Sequence, residues 1–256
     1  MATVAICTPN SGVISPEYNR GVIQMQNNTP GHAFIHVEIG MQIVGKARND
    51  LVKAALGAGA EVVWFVDCDT IIPPHAGVLV DQALQLGIVS VLYFSRRQPY
   101  TPQLYTRAIE PQYQGMEVYW PLLSYPEGLM VVDAAGAGCL AIRADIFKDL
   151  EDFSAKNVKR ATELEQRLDG DFKWLIKYNG IRKRMSPWFE FMDYKGEDLY
   201  FCEVAREAGH IIWANTTVKC DHNATIPIGE RHFKHLVENK LLHRISPDGQ
   251  LVVEGA

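Results

Sequence analysis

Short apolar runs bounded by turn residues alternate in this chain with stretches whose apolar positions recur every three to four residues. "TVAIC" (Thr3–Cys7) runs into "TPNSG", which reads as a first strand and its loop. From Met41 to Ala58 the period is helical. Ile43, Ala47, Leu51, Ala54, Ala55 and Ala58 fall on one face, with Asn49 pointing away and Arg48 on the flank. "GAGA" ends that helix and "EVVWFV" is the next strand. A helix is expected over Ala76–Gln85 and a third strand over Gly87–Phe94.

"MVVDAAGAGCLAIRADIF" (Met130–Phe147) reads as strand, glycine corner, strand and helix start. Charged, helical sequence follows to Arg184, and Glu197–Ala208 is a further helix. "HIIWANTTVKCDH" forms one strand or a pair, and the tail holds a helix near Arg231–Leu242 and a closing strand, "QLVVE". Strands alternating with helices predict an α/β domain with a mostly parallel sheet.

The chain has 256 residues, 47% hydrophobic and 21% charged, which suits one globular core. A net charge of -5 speaks against wholesale attraction to nucleic acid or an anionic membrane, though not against a local basic patch. No run of about 18 apolar residues occurs, so no membrane span is expected. "MATVAICTPN" reads as a strand, not a leader. The five cysteines are odd in number, contain no CxxC and sit mostly among apolar neighbours. A reduced, cytoplasmic setting is the expectation.

The pattern breaks at "VVWFVDCDT" (Val62–Thr70), where a buried-type strand ends in two aspartates. Parallel α/β sheets bind ligands beyond the carboxyl ends of their strands. In extended chain, Asp67 and Asp69 face the same way, so their repulsion must be offset. A divalent cation would do so, with Mg²⁺ or Mn²⁺ suited to oxygen ligands and commonly completed by phosphate. Capping of the following "TIIPP" turn would account for them equally well.

"KARNDLVKAALGAGAEVVWFVDCDTIIPP" (Lys46–Pro74) resembles the donor half of the GT-A nucleotide-sugar glycosyltransferases. "GEDLYFCEVAREAGHIIWANTTVKCDH" (Gly196–His222) resembles their Glu-Asp helix and the strand and histidine after it, and "AGAGCLAIRADIF" stands between as their acceptor-side segment does. The likeness spans roughly Thr3 to Thr225, with 148–195 poorly matched. It implies a three-layer, Rossmann-like GT-A sandwich carrying a helical insertion. The catalytic domain would cover 1–225, with 148–195 on the acceptor side and 226–256 a helical extension packed on the same domain.

The resemblance also implies site roles. Asp67, Asp69 and His222 would hold Mn²⁺ or Mg²⁺. Thr8, Pro9, Asn10, Arg48, Asn49, Asp67, Cys68 and Arg96 would contact a donor, UDP-sugar before GDP-sugar. Asp198, or less readily Glu197, would be the catalytic carboxylate, taking the acceptor hydroxyl's proton in an inverting reaction or mainly positioning substrates in a retaining one, an alternative the sequence leaves open. Thr8–Asn10 are also ordinary turn residues, Glu197 and Asp198 ordinary helix-start acids, and Arg96 and Arg97 ordinary loop residues. Gly136 and Gly138 would let backbone approach an acceptor, or simply shape a turn.

The acceptor stays open among a glycan, a small molecule and DNA. "FKWLIKYNGIRKRMSPWF" (Phe172–Phe189) has five basic residues, five aromatics and no acid, a mixture able to grip phosphates and stack bases. This resembles the transferases with which some bacteriophages decorate modified bases. Aromatics packed beneath charged helices would give the same string, and Trp188 and Phe189 could stack on a sugar. Two rivals remain. A sugar nucleotidyltransferase expects a glycine-rich basic loop that "TPNSGVISPEYNR" lacks. A non-catalytic nucleotide-sugar or carbohydrate-binding module would share the fold. P-loop and GxGxxG motifs are absent.

Overall fold

The structure is a computed structural model that describes residues 1–10, 12–109, 117–167, 188–191, 195–223, 229–238, 243–245 and 251–253. The chain opens with β1 (Thr3–Asn10), α1 (Pro16–Asn27), β2 (Ala33–Gly40) and α2 (Val44–Gly57). β3 (Val62–Val66) leads through the two-residue β4 (Thr70–Ile71) and a 3₁₀ turn (Pro74–Gly77) to α3 (Val78–Leu86) and β5 (Ile88–Leu92). Next come β6 (Leu104–Ile109), β7 (Glu117–Pro121), β8 (Leu129–Val132), β9 (Ala134–Ala135), β10 (Cys139–Arg143) and α4 (Ala144–Arg167). α5 (Glu197–Glu207), β11 (Ile212–Lys219), β12 (Asp221–His222), α6 (Glu230–Glu238), β13 (His243–Ile245) and β14 (Leu251–Val253) complete it.

Seven strands form the central sheet in the order β2-β1-β3-β10-β5-β11-β8. β10 and β8 run against their neighbours, and the other five point one way. The period-2 pleat of β3 shows why helices cover both faces. Val63 and Phe65 face a core shared with α2, α4, α5 and α6, whereas Val62, Trp64 and Val66 face one shared with α1 and α3. All five are fully buried, each contributing about 1.5–3 kcal/mol. The result is the expected α/β layering around a mostly parallel sheet. Phe233 and Leu236 bury α6 in the first of these cores. Among the described residues no helix is long and apolar enough to cross a membrane.

Three elements depart from the sequence expectation. α1 occupies what reads as loop: Ser15 Oγ caps it by accepting from Tyr18 N at 3.0 Å, and Pro16 fills the first turn. Its buried residues, Tyr18, Gly21, Val22 and Met25, keep a helical spacing that surrounding polar residues obscure. β2 was likewise not anticipated; its alternating burial makes it the sheet's edge beside β1. On α2 the buried stripe is Gly45, Ala47, Arg48, Leu51, Val52 and Ala55, while Ile43, Ala54 and Ala58 are exposed. The face is rotated because Arg48 has acidic partners in the interior.

Candidate functional site

β3 delivers Asp67 to the carboxyl edge of the sheet, where its N–H donates to Gly138 O at 2.9 Å. Its carboxylate turns toward α2. Arg48 Nη2 lies 2.9 Å from Asp67 Oδ1 and 3.1 Å from Oδ2, Nε donates to Glu197 Oε1 at 3.2 Å, and Nη1 donates to Ala137 O at 3.1 Å. The guanidinium also sits over the Phe65 ring, 5.3 Å from its centroid. With every guanidinium nitrogen engaged and the residue buried, Arg48 holds the site together from beneath rather than facing open solvent. Burial pushes the Asp67 carboxyl above the usual range, against the pull of Arg48.

Asp69 is held differently. β4 pairs antiparallel with β12, setting Thr70 opposite His222, and Asn223 N donates to Asp69 O at 2.6 Å. That short ladder clips the acid loop to the histidine. Asp69 Oδ1 is 3.3 Å from His222 Nε2, and Oδ2 accepts from the half-exposed Arg96 at 2.6 Å. Despite burial, His222 and then Arg96 keep the Asp69 carboxyl below its ordinary range. The other ring nitrogen of His222, Nδ1, is 2.8 Å from Phe94 O. A carbonyl only accepts, so Nδ1 carries the proton in that contact. Nε2 is then either a second donor or a lone pair aimed at a carboxylate, an arrangement a cation would bridge. A backbone acceptor behind the far nitrogen is also how metal-binding histidines are oriented.

Glu197 and Asp198 open α5 after Gly196. Glu197 is buried against Arg48; Asp198 is half-buried, and its Oδ1 accepts from Leu199 N at 2.8 Å. Burial, and next the charge of Glu197, raise the Asp198 carboxyl to about 6. Behind this edge a buried pair, Lys195 Nζ to Glu203 Oε2 at 2.5 Å, ties the residue before Gly196 to the body of α5.

Gly136 and Gly138 have a structural use that the sequence conceals. Gly138 N donates to the Tyr93 hydroxyl at 2.9 Å, and a Cβ at either glycine would collide with the Tyr93 side chain. They admit a tyrosine rather than a ligand.

At the ends of β1 and β2, Thr8 hydrogen-bonds the Tyr18 hydroxyl and Asn10 Nδ2 donates to Glu38. Pro9 between them is half-buried, and Cys68 is buried. Asn49 exchanges two hydrogen bonds with Phe189: Nδ2 donates to its O at 2.6 Å and Oδ1 accepts from its N at 3.1 Å. Trp188 and Phe189 are core residues, Phe189 stacking on Phe201 at 4.7 Å, so the expected stacking on a sugar gives way to packing. The remainder of the basic-aromatic stretch, 172–187, lies outside the described residues.

Thus two separate sets of ion pairs form, residues 48, 67 and 197 in one and residues 69, 96 and 222 in the other. They are linked through the chain between Asp67 and Asp69, so that each aspartate has its own basic partners. Tyr18, Glu38 and Tyr93 are partners that sequence reasoning missed; only the alternation around Glu38 hinted at its placement. Among the described residues no three histidine, cysteine or carboxylate side chains gather into a complete metal cage. Asp69 and His222 supply an oxygen and an imidazole nitrogen. A carboxylate oxygen with an imidazole nitrogen would suit Mn²⁺ better than Mg²⁺, which favours oxygen ligands alone, and Asp67, turned to Arg48, adds no third donor.

No protein-family model matches this chain, and no curated protein does. Among solved structures, it is similar to A197 from STIV, with a TM-score of 0.53 and 14% identity over 100% of this chain and 95% of that one. That likeness concerns the fold alone.

Proposed function

We propose that this protein is a GT-A-type glycosyltransferase that moves a sugar from a nucleoside diphosphate to an acceptor hydroxyl. The observation that supports this most is the junction of the Asp67–Asp69 loop, the Glu197–Asp198 helix start and His222 at the carboxyl edge of the sheet. Thr8, Asn10 and Glu38, at the ends of β1 and β2, and Tyr18 from α1 would border the nucleoside. Asp69 and His222 would hold a divalent cation that, when bound, offsets charge on the departing diphosphate. Arg96, already on Asp69, is the exposed cation able to exchange that partner for phosphate.

Asp198 is the proton acceptor in this reading. Its carboxyl titrates near 6, so it is ionised at neutral pH yet basic enough to take a hydroxyl proton. The acceptor oxygen forms a bond to the anomeric carbon as the bond from that carbon to the diphosphate breaks. The electron pair leaves with the diphosphate, and the proton goes to Asp198.

A binding module without turnover is the second reading, favoured by the fact that arginines already neutralise both Asp67 and Asp69. Thermal shift with UDP, GDP and their sugars, in Mn²⁺ and in EDTA, tests the first step. Stabilisation that requires Mn²⁺ and disappears in Asp69→Ala is expected. Slow Mn²⁺-dependent hydrolysis of the same nucleotide sugar marks the transferase. Binding without hydrolysis or transfer selects the module, and equal shifts in EDTA overturn the ion assignment.

A further inference from the structure

A cavity of about 490 Å³ opens between α6, the end of β11 and the segment preceding β8. It lies on the same carboxyl edge as the acids: Lys219, in its wall, pairs with Leu92 at the end of β5. His222 follows three residues later, about 10 Å along extended chain. Phe94 links the two places. Its carbonyl orients His222 at 2.8 Å, and its ring lies 5.6 Å from that of Phe233, which lines the cavity.

The lining is amphipathic. Half-buried Tyr125 supplies aromatic surface, with the core residue Phe233 behind it, while Glu230 organises the polar side. Glu230 Oε2 accepts from Lys219 Nζ at 2.8 Å, and its Oε1 accepts from the Tyr125 hydroxyl at 3.3 Å and lies 3.4 Å from Lys234 Nζ. Glu127 and Glu238 add two more carboxylates, so two lysines face three acids. Both lysines already serve Glu230. Among the described lining residues a phosphate backbone would find no cation that is not already paired, and it would be repelled by the carboxylates. A sugar finds what it needs: the Tyr125 ring for its C–H surface, and ammonium, carboxylate and phenol for hydroxyls that both donate and accept.

The geometry points to this cavity as the acceptor subsite, and to a neutral saccharide as its occupant, held by Glu230, Lys219 and Lys234 with its ring against Tyr125. The assignment rests on the transferase reading for its name but not for its ligand.

Saturation-transfer NMR tests it, using a panel of neutral methyl glycosides and disaccharides and, separately, a mixed-sequence single-stranded oligodeoxynucleotide. At least one saccharide is expected to bind. Glu230→Gln and Tyr125→Ala should weaken it about tenfold or more, and the exposed-site variant Lys234→Ala, which leaves the fold untouched, should weaken it several-fold. The Mn²⁺-dependent nucleotide shift should persist in all three. Saccharide binding indifferent to these variants, no saccharide binding, or oligonucleotide binding that they abolish overturns the assignment. Saccharide binding by a protein that shows no nucleotide shift upholds this subsite and removes the transferase reading instead.

Discussion

Arg48 Nη2 reaches both carboxylate oxygens of Asp67, at 2.9 and 3.1 Å, while Nε of the same guanidinium holds Glu197 at 3.2 Å. One buried cation thus binds the acid loop after β3 to the acidic start of α5, and the two halves of the candidate site are set by its geometry. Removing one partner from a buried ion pair leaves the others uncompensated, typically at 3–5 kcal/mol. Arg48→Met is therefore expected to lose about that much in urea unfolding. Arg48→Lys should recover little, since an ammonium cannot span three acceptors in a plane. Full stability in Arg48→Met would show that the acids do not depend on it.

The Asp198 carboxyl, raised to about 6, sets a pH profile. In the proposed transfer the ionised form would be the base, so kcat/KM should rise with pH through about 6 and then level off, and Asp198→Asn should lower kcat by about 10²–10⁴. Stability moves the other way. A carboxyl whose folded pKa lies above its unfolded one binds more protons when folded, so its contribution falls as pH climbs from about 4 to about 6. Asp198→Asn should flatten that part of the stability curve; an unchanged slope would remove Asp198 from the titration.

Tyr93 and its two glycines make a close-packed unit. Gly136→Ala places a methyl against the tyrosine hydroxyl and should destabilise by about 1–3 kcal/mol or more. Tyr93→Phe removes that oxygen, so the double variant should be less destabilised than the sum of the two single changes. Strict additivity in a double-mutant cycle would show the contact to be loose.

The Lys195–Glu203 pair is buried at both ends. Lys195→Met alone should cost about 3–5 kcal/mol, because it removes one charge of a buried pair, whereas Lys195→Met with Glu203→Leu should regain most of it. Comparing denaturation midpoints of the two variants checks this; equal loss in both would assign the effect to packing around Tyr119 instead.

An unbroken apolar run made β3 legible, because a strand buried on both faces carries apolar residues at every position, a local property of Val62–Val66. The Asp67–Asp69 pair and the Gly196–Asp198 helix start were legible for the same reason: chain direction puts them just past a strand or at the head of a helix. α1 was hidden by its polar composition, although Ser15 and Pro16 carried its cap signal. Which partner each side chain takes was decided only by the tertiary structure. Arg48 meets an acid 149 residues away, His222 is oriented by a carbonyl 128 residues away, and Gly138 is small for the sake of a tyrosine 45 residues away. Local spacing says what a segment becomes, but charges and ring edges choose partners from whatever packing brings within a few ångströms, and that choice exists only once the layers have closed.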